Sequence, residues 1–175
     1  MQYPGHAVLQ LPVPALEDFV RSRTAHYDPG FLGTSDVADA DFVHAHITVL
    51  APFASLPDLA LVAEGLFGTA PFEVTLGTAE LFPNGLVHSR PEPEDALRAL
   101  TARMCTLFPD VVPYGGLHRP VPHLTLDALG PGVSLASVRE WTSRVLPCSS
   151  RIEAVDLVWY ESGNTRLCHR WWLST

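Results

Sequence analysis

Residues 44–50, His-Ala-His-Ile-Thr-Val-Leu, read as a β-strand that spends two histidines and a threonine where Val or Ile would pair better. The pattern returns 77 residues later, where residues 122–127 read Pro-His-Leu-Thr-Leu-Asp. A single His-x-Thr step on a strand is ordinarily a polar surface face. Two copies constrain the chain, because each sits at the same point in a repeated order of elements. Pro14 and Pro93 open predicted helices 32 and 30 residues before His46 and His123, and Asn84 and Asn164 mark predicted turns 38 and 41 residues after them. The matching offsets imply an internal duplication.

Around the first motif, residues 6–13 predict a short strand. Pro14 then starts a helix through Tyr27 with apolar spacing at Leu16, Phe19 and Val20. Residues 28–41, with four Asp and no periodicity, read as a surface loop. Strand 42–50 follows. Residues 55–67 predict a helix capped by Ser55, and residues 72–82 and 85–90 a hairpin turning at Pro83-Asn84-Gly85. The second half repeats the order with helix 93–108, a Pro- and Gly-rich loop 109–122, strand 123–127 and helix 134–146. A second hairpin then turns at Ser162-Gly163-Asn164. The expected organisation is one domain over residues 1–175, with lobes 14–90 and 93–175 and strand 6–13 completing a sheet.

Hydrophobic residues make up 47% of the chain and charged residues 17%, so a packed core is expected rather than disorder. No apolar run approaches the roughly 20 residues that span a bilayer. The N-terminus reaches Glu17 and Asp18 before any Arg, so neither a signal nor a transit peptide is expected and the expected address is the cytoplasm. Cys105, Cys148 and Cys168, in no close spacing, suit reduced thiols used as small core residues. All 11 basic residues are arginine, which excludes lysine chemistry such as P-loop phosphate binding and Schiff-base formation. A net charge of -8 argues against a surface that grips long nucleic acid. A small phosphorylated ligand held in one cleft remains possible.

In a strand, alternate side chains share a face. His46 and Thr48 therefore point one way and Ala45, Ile47 and Val49 the other; His123 and Thr125 oppose Pro122, Leu124 and Leu126. Two lobes related by a pseudo-twofold axis would bring the polar faces together across a groove. Facing imidazoles suit hydrolysis or transesterification of a phosphodiester: one neutral His takes a proton from water while a protonated one gives a proton to the leaving oxygen. The threonine hydroxyls would hold the non-bridging oxygens. No metal is required. A zinc site from His44, His46, His118 and His123 is not expected, because the repeat keeps His-x-Thr rather than His-x-His and no Asp, Glu or Cys completes either set. Arg119, just before the second motif, is a candidate to steer a phosphate, and Tyr114 a candidate lid residue. Arg90 and Arg166 are expected as surface charges, Phe53 as packing, and one of Trp171 and Trp172 in the core.

The pair His-Ile-Thr-Val and His-Leu-Thr-Leu, the Ala-Pro-Phe after the first, the Pro before the second and the duplicated element order resemble the 2H phosphoesterase superfamily, in particular its branch related to 2'-5' RNA ligase and RNA 2',3'-cyclic phosphodiesterase. The resemblance covers essentially the whole chain. It implies an α+β fold, two-lobed and duplicated about a pseudo-twofold axis, with antiparallel sheets lining a central cleft and helices on the outer faces. It also implies metal-independent catalysis without a cofactor, on an RNA end or small nucleotide bearing a 2',3'-cyclic phosphate or a 2'-5' phosphodiester. By the same resemblance His46 looks like the proton donor and His123 like the acceptor that activates water. Thr48, Thr125, Arg119 and His44 are the candidate substrate-binding residues. Two features depart from the pattern: Ala45 stands where relatives often have Pro, and His44 adds an imidazole. The acidic composition leaves a mononucleotide or short oligonucleotide on an equal footing with structured RNA, and a monomer that binds neither long duplex nucleic acid nor membrane is expected. Two other readings stay open: a non-catalytic nucleotide- or RNA-end-binding module on the same cleft, and a metal-dependent hydrolase.

Overall fold

The computed structural model describes residues 5–27 and 41–175, so the loop expected over 28–41 lies outside the described residues except for Asp41. β1 (His6–Pro12) leads into a 3₁₀ turn opened by Pro14, and α1 (Glu17–Tyr27) follows. β2 (His46–Phe53) carries the first motif. α2 (Leu59–Leu66) starts later than a Ser55 cap would place it. Asp58 is the cap instead, its carboxylate accepting from the Ala60 N–H at 2.8 Å and the Leu61 N–H at 3.3 Å. Pro57 explains the delay, because a proline drives the residue before it out of the helical region. β3 (Phe72–Leu76), β4 (Glu80–Leu81), β5 (Leu86–Ser89) and β6 (Pro91–Glu92) precede α3 (Asp95–Leu107). β7 (Leu124–Ala128) carries the second motif. α4 (Leu135–Thr142), capped by Ser134, stops short of residue 146, and β8 (Cys148–Ile152), β9 (Ala154–Tyr160) and β10 (Arg166–Trp172) complete the order. Among the described residues no helix is long and apolar enough to cross a membrane.

The hairpins are shorter than their apolar patterns suggest. Only β4–β5 and β9–β10 close on the two turns, where Gly85 (φ 90°) and Gly163 (φ 74°) supply left-handed conformations. β3 and β8 leave for a second sheet, in the order β6-β3-β8, with Phe72 opposite Ile152, Val74 opposite Ser150 and Leu76 opposite Cys148. Period-two alternation reads the same whichever sheet a strand joins, so the split is invisible to it.

The main sheet is antiparallel, in the order β10-β9-β1-β2-β7-β5-β4. Its middle is held by one Cα pair, Ile47 opposite Leu124, whose side chains are 1% and 0% exposed. This pair lies between the two motifs and marks the pseudo-twofold axis. The repeats exchange parts across it. β4 and β5 follow the first motif in the chain but join the sheet beside β7, whereas β9 and β10 follow the second motif and join, through β1, the side of β2. α1 packs on β7 and α3 on β2. The lobes expected from the sequence are 14–90 and 93–175, yet each half of the main sheet draws strands from both stretches.

A matched irregularity follows each motif. Leu9 lies opposite Leu50 while Gln10 lies opposite Thr48, which leaves Val49 as an extra residue; Val87 lies opposite Asp127 while His88 lies opposite Thr125, which leaves Leu126 extra. Such bulges re-aim the residue that follows. Asp127 is thereby fully buried, and it accepts hydrogen bonds from Arg23 Nε at 2.6 Å, His26 Nδ1 at 2.8 Å and the Ala128 N–H at 2.8 Å. These bonds offset the cost of removing the carboxylate from water and fix α1 against β7. The Arg23 guanidinium also lies 4.9 Å from the Trp141 ring centre, which adds α4 to the same side. Phe53 is buried with its ring edge-on to Phe108 at 5.3 Å, the packing role expected of it.

Leu124→Ala removes one side of the axial pair and is expected to lower the unfolding free energy by about 2–5 kcal/mol, read from urea denaturation. A loss well under about 1 kcal/mol would mean that the halves do not depend on this contact.

Candidate active site

Alternation in β2 and β7 buries Ile47, Val49, Leu124 and Leu126 and leaves His46, Thr48, His123 and Thr125 half-buried on the opposite face. Antiparallel register about the Ile47–Leu124 pair sets His46 opposite Thr125 and Thr48 opposite His123. The two histidines are then diagonal neighbours, about 7–8 Å apart at Cα, which leaves room for a phosphate between them.

Each motif histidine is held in the same way. His46 Nδ1 lies 2.7 Å from the His44 carbonyl oxygen, and His123 Nδ1 lies 2.7 Å from the Val121 carbonyl oxygen. A carbonyl can only accept, so Nδ1 carries the proton in both rings and Nε2 is left with a lone pair. Neither Nε2, and neither the Thr48 nor the Thr125 hydroxyl, has a hydrogen-bond partner among the described residues. Burial pushes the His46 pKa down to about 4; the His44 carbonyl and the Glu17 charge oppose this, and His123 and His44 reinforce it. Burial also lowers His123, against the pull of the Val121 carbonyl. Both rings are therefore neutral at pH 7 when nothing is bound.

The walls come from the exchanged hairpins and β1. The Tyr160 ring centre is 6.1 Å from that of His46, and its hydroxyl donates to Gln10 Oε1 at 2.7 Å. His6 stacks on Tyr160 at 6.0 Å. On the other side Phe82 meets His123 edge-on at 4.9 Å and stacks on His88 at 3.5 Å, and His88 lies 5.8 Å from His123. Gln10 is opposite Thr48 and His88 opposite Thr125, so each threonine has a buried polar neighbour. Burial, and next the nearby His123, lowers the His88 pKa.

Of the six candidate residues, His46, Thr48, His123 and Thr125 come together. The His44 imidazole is committed to the protein: its Nδ1 donates to Glu17 Oε1 at 2.9 Å and its ring lies edge-on to Phe42 at 4.6 Å. What His44 offers His46 is its main-chain carbonyl. Arg119 is exposed and makes no hydrogen bond or ion pair among the described residues. Tyr114 is half-exposed with φ 53°, a left-handed conformation uncommon outside glycine. Arg90 pairs with Glu94 at 2.6 Å, and Arg166 lies over Trp159 at 5.9 Å. Trp171 is only half-buried, packed against the edge of the core, and Trp172 is 68% exposed, so neither ring lies within the core, where one of them is expected.

Gln10, Glu17, Phe82, His88 and Tyr160 belong to no motif that the sequence announces. A signal exists for two of them: Phe82 stands 36 residues after His46 and Tyr160 stands 37 after His123, each just before its hairpin turn. Among the described residues no group of three or more His, Cys, Asp or Glu side chains is placed to hold a metal ion.

The antiparallel main sheet, with helices and a second sheet around it, matches the LigT-like 2H phosphoesterase fold. The crystal structure of E. coli LigT complexed with 3'-AMP aligns with a TM-score of 0.59 and 17% identity, covering 99% of this chain and 100% of LigT. The crystal structure of TT0787 of Thermus thermophilus aligns with a TM-score of 0.62 and 16% identity, covering 96% of this chain and 97% of that one. E. coli LigT complexed with NADP+ aligns with a TM-score of 0.54 and 19% identity, covering 98% and 99%. No curated protein matches the chain in sequence. The model of the 2'-5' RNA ligase superfamily matches residues 12–164, and the chain belongs to that superfamily.

Nitrogen-15 NMR of the labelled imidazoles in the empty protein should find both motif histidines neutral with the proton on Nδ1 at pH 7. His46 should become protonated only near pH 4. A charged ring at pH 7, or a proton on Nε2, would contradict the hydrogen-bond assignment.

Proposed function

We propose that this protein is a metal-independent phosphoesterase that opens a 2',3'-cyclic phosphate, or acts on a 2'-5' phosphodiester, at RNA ends or in small nucleotides. The observation that carries the reading is the matched pair of imidazoles, each with Nδ1–H tied to a carbonyl and Nε2 unpartnered, among the described residues, on the face that also bears two unbonded threonine hydroxyls.

In this reading His123 accepts a proton from water as the water oxygen bonds to phosphorus, and His46 donates a proton to the ribose oxygen as its bond to phosphorus breaks. The product is a phosphomonoester and a free ribose hydroxyl. Thr48 and Thr125 donate to the non-bridging oxygens, where negative charge grows. An empty site with two neutral rings cannot run this step. The charge of a bound phosphodiester favours the protonated form of an adjacent imidazole and supplies the missing proton carrier. Crystals of E. coli LigT with 3'-AMP, NADP+ and ATP support a ligand of nucleotide size. The net charge of -8 supports a small substrate over a long duplex. Both half-sites lie in one chain, so a monomer suffices.

The test is hydrolysis of 2',3'-cyclic AMP, and of a short RNA ending in a 2',3'-cyclic phosphate, with EDTA present. Wild type is expected to turn over at least one of them. His46→Ala and His123→Ala, still folded by circular dichroism, should each lose about 10²–10⁴-fold in kcat, and Thr48→Val or Thr125→Val about 10²-fold. Binding without turnover that survives loss of either histidine would make the cleft a binding module. Loss of activity on chelation, restored by zinc, would make the protein a metal-dependent hydrolase. Either outcome overturns the proposal.

The pH dependence is a separate expectation. Catalysis needs one neutral and one protonated ring, and both pKa values lie below the ordinary 6.5, that of His46 at about 4. The plot of kcat/KM against pH should therefore peak below 6.5 and fall as pH rises further. An optimum above neutrality would contradict the assignment.

A further inference from the structure

The two motif histidines are held alike, but the peptides that hold them differ. The His44 carbonyl that accepts from His46 Nδ1–H belongs to the peptide unit joining His44 to Ala45. The N–H of that same unit donates to Glu17 Oε2 at 2.9 Å. Carboxylate, amide and imidazole thus form one chain of hydrogen bonds. On the other side, the Val121 carbonyl that accepts from His123 belongs to a peptide unit whose nitrogen is that of Pro122, which has no N–H. No carboxylate can reach His123 by this route. Glu94, near the start of α3, is engaged by Arg90 and Arg98.

Glu17 is built to stay ionised. Burial alone would raise its pKa, but hydrogen bonds from His44 Nδ1 and the Ala45 N–H, together with Arg21 Nε at 3.0 Å, hold the carboxyl below its ordinary value. A charged acceptor on the amide N–H draws electron density toward the carbonyl oxygen, which makes that oxygen a stronger acceptor for the imidazole proton.

We propose that Glu17 is a positioning residue for His46, acting through the His44–Ala45 peptide to sustain the basicity of that ring, so that the duplicated site is chemically asymmetric. His46 is then the ring with a charged group linked to its carbonyl acceptor, whereas His123 is backed by a peptide that ends in proline. Among the described residues, the charged and titratable groups around His46 are Glu17 with Arg21 behind it on α1, His44 beside it, His123 just before β7 and Tyr160 at the end of β9. Of these, Glu17 is the one that raises the His46 pKa by its charge. Without it the burial that lowers His46 would act with less opposition.

The inference rests on the proposed function only for its kinetic consequence, so the test has two parts. The first follows the labelled imidazoles by NMR across pH in wild type, Glu17→Gln and Ala45→Pro. Glu17→Gln keeps the size of the side chain and removes the charge; Ala45→Pro removes the N–H and copies the arrangement at Pro122. In Glu17→Gln the His46 titration should move to lower pH and its Nδ1–H resonance upfield, while His123 stays where it is. Ala45→Pro should do the same if it folds; if it does not, Glu17→Gln decides alone. The second part measures kcat for 2',3'-cyclic AMP, expected to fall about tenfold in Glu17→Gln with KM unchanged, and with the acidic limb of the pH profile moved lower. A folded Glu17→Gln variant in which His46 titrates as in wild type, or in which both rings shift together, overturns the proposal. Absence of turnover in wild type would sink the functional reading and leave the NMR result decisive for this one.

Discussion

The arrangement depends on one contact, the packing of Ile47 against Leu124 where β2 and β7 touch. The main sheet is otherwise two groups of strands, and this pair is the register mark that faces one repeat toward the other. With both side chains fully out of water, a slip of one residue would send the histidines to the buried face and Ile47 and Leu124 to the polar one. The apolar sides of the two strands therefore set the positions of the polar sides. The geometry of the candidate site, in this view, is a by-product of core packing.

The exchange of hairpins and helices serves the same end. Phe82 from the first repeat lies against His123 from the second, and Tyr160 from the second lies near His46 from the first. A repeat on its own would lack the aromatic wall for its own histidine and the helix that covers its own motif strand. Asp127 carries this interdependence into the polar interior: α1 of the first repeat supplies the Arg23 and His26 that satisfy a buried carboxylate of the second. The bulges at Val49 and Leu126 allow it, since each lets a strand show His and Thr on one face and then bury the next two residues in succession.

Much of this is legible in the sequence because it rests on periodicity. The faces of β2 and β7 and the duplication itself follow from the spacing of Ile47, Leu124, His46 and His123. What periodicity does not carry stays hidden. A strand pattern does not name its partner, so β3 reads as the arm of a hairpin rather than as part of a second sheet. A bulge adds a residue without a composition signal, so Asp127 gives no hint of its burial. Glu17 lies 29 residues before His46 in a helix and has no motif; it comes to the site only because α1 places its first turn against the peptide at residue 45. The difference between the two copies, Ala45 against Pro122, is plain in the sequence, but its consequence is not, because it matters through a backbone N–H and not through a side chain.

The central claim is that residues from both repeats form one ligand site at the axis. The most direct measurement is a titration of the isotope-labelled protein with 3'-AMP, following backbone and imidazole resonances of β2 and β7 together. A composite site predicts that His46, Thr48, His123 and Thr125 all shift along a single binding curve, with at least one imidazole gaining a proton as the phosphate enters. If the resonances of only one repeat moved, or the two sets followed different affinities, the strands would not share a ligand and the account would be wrong.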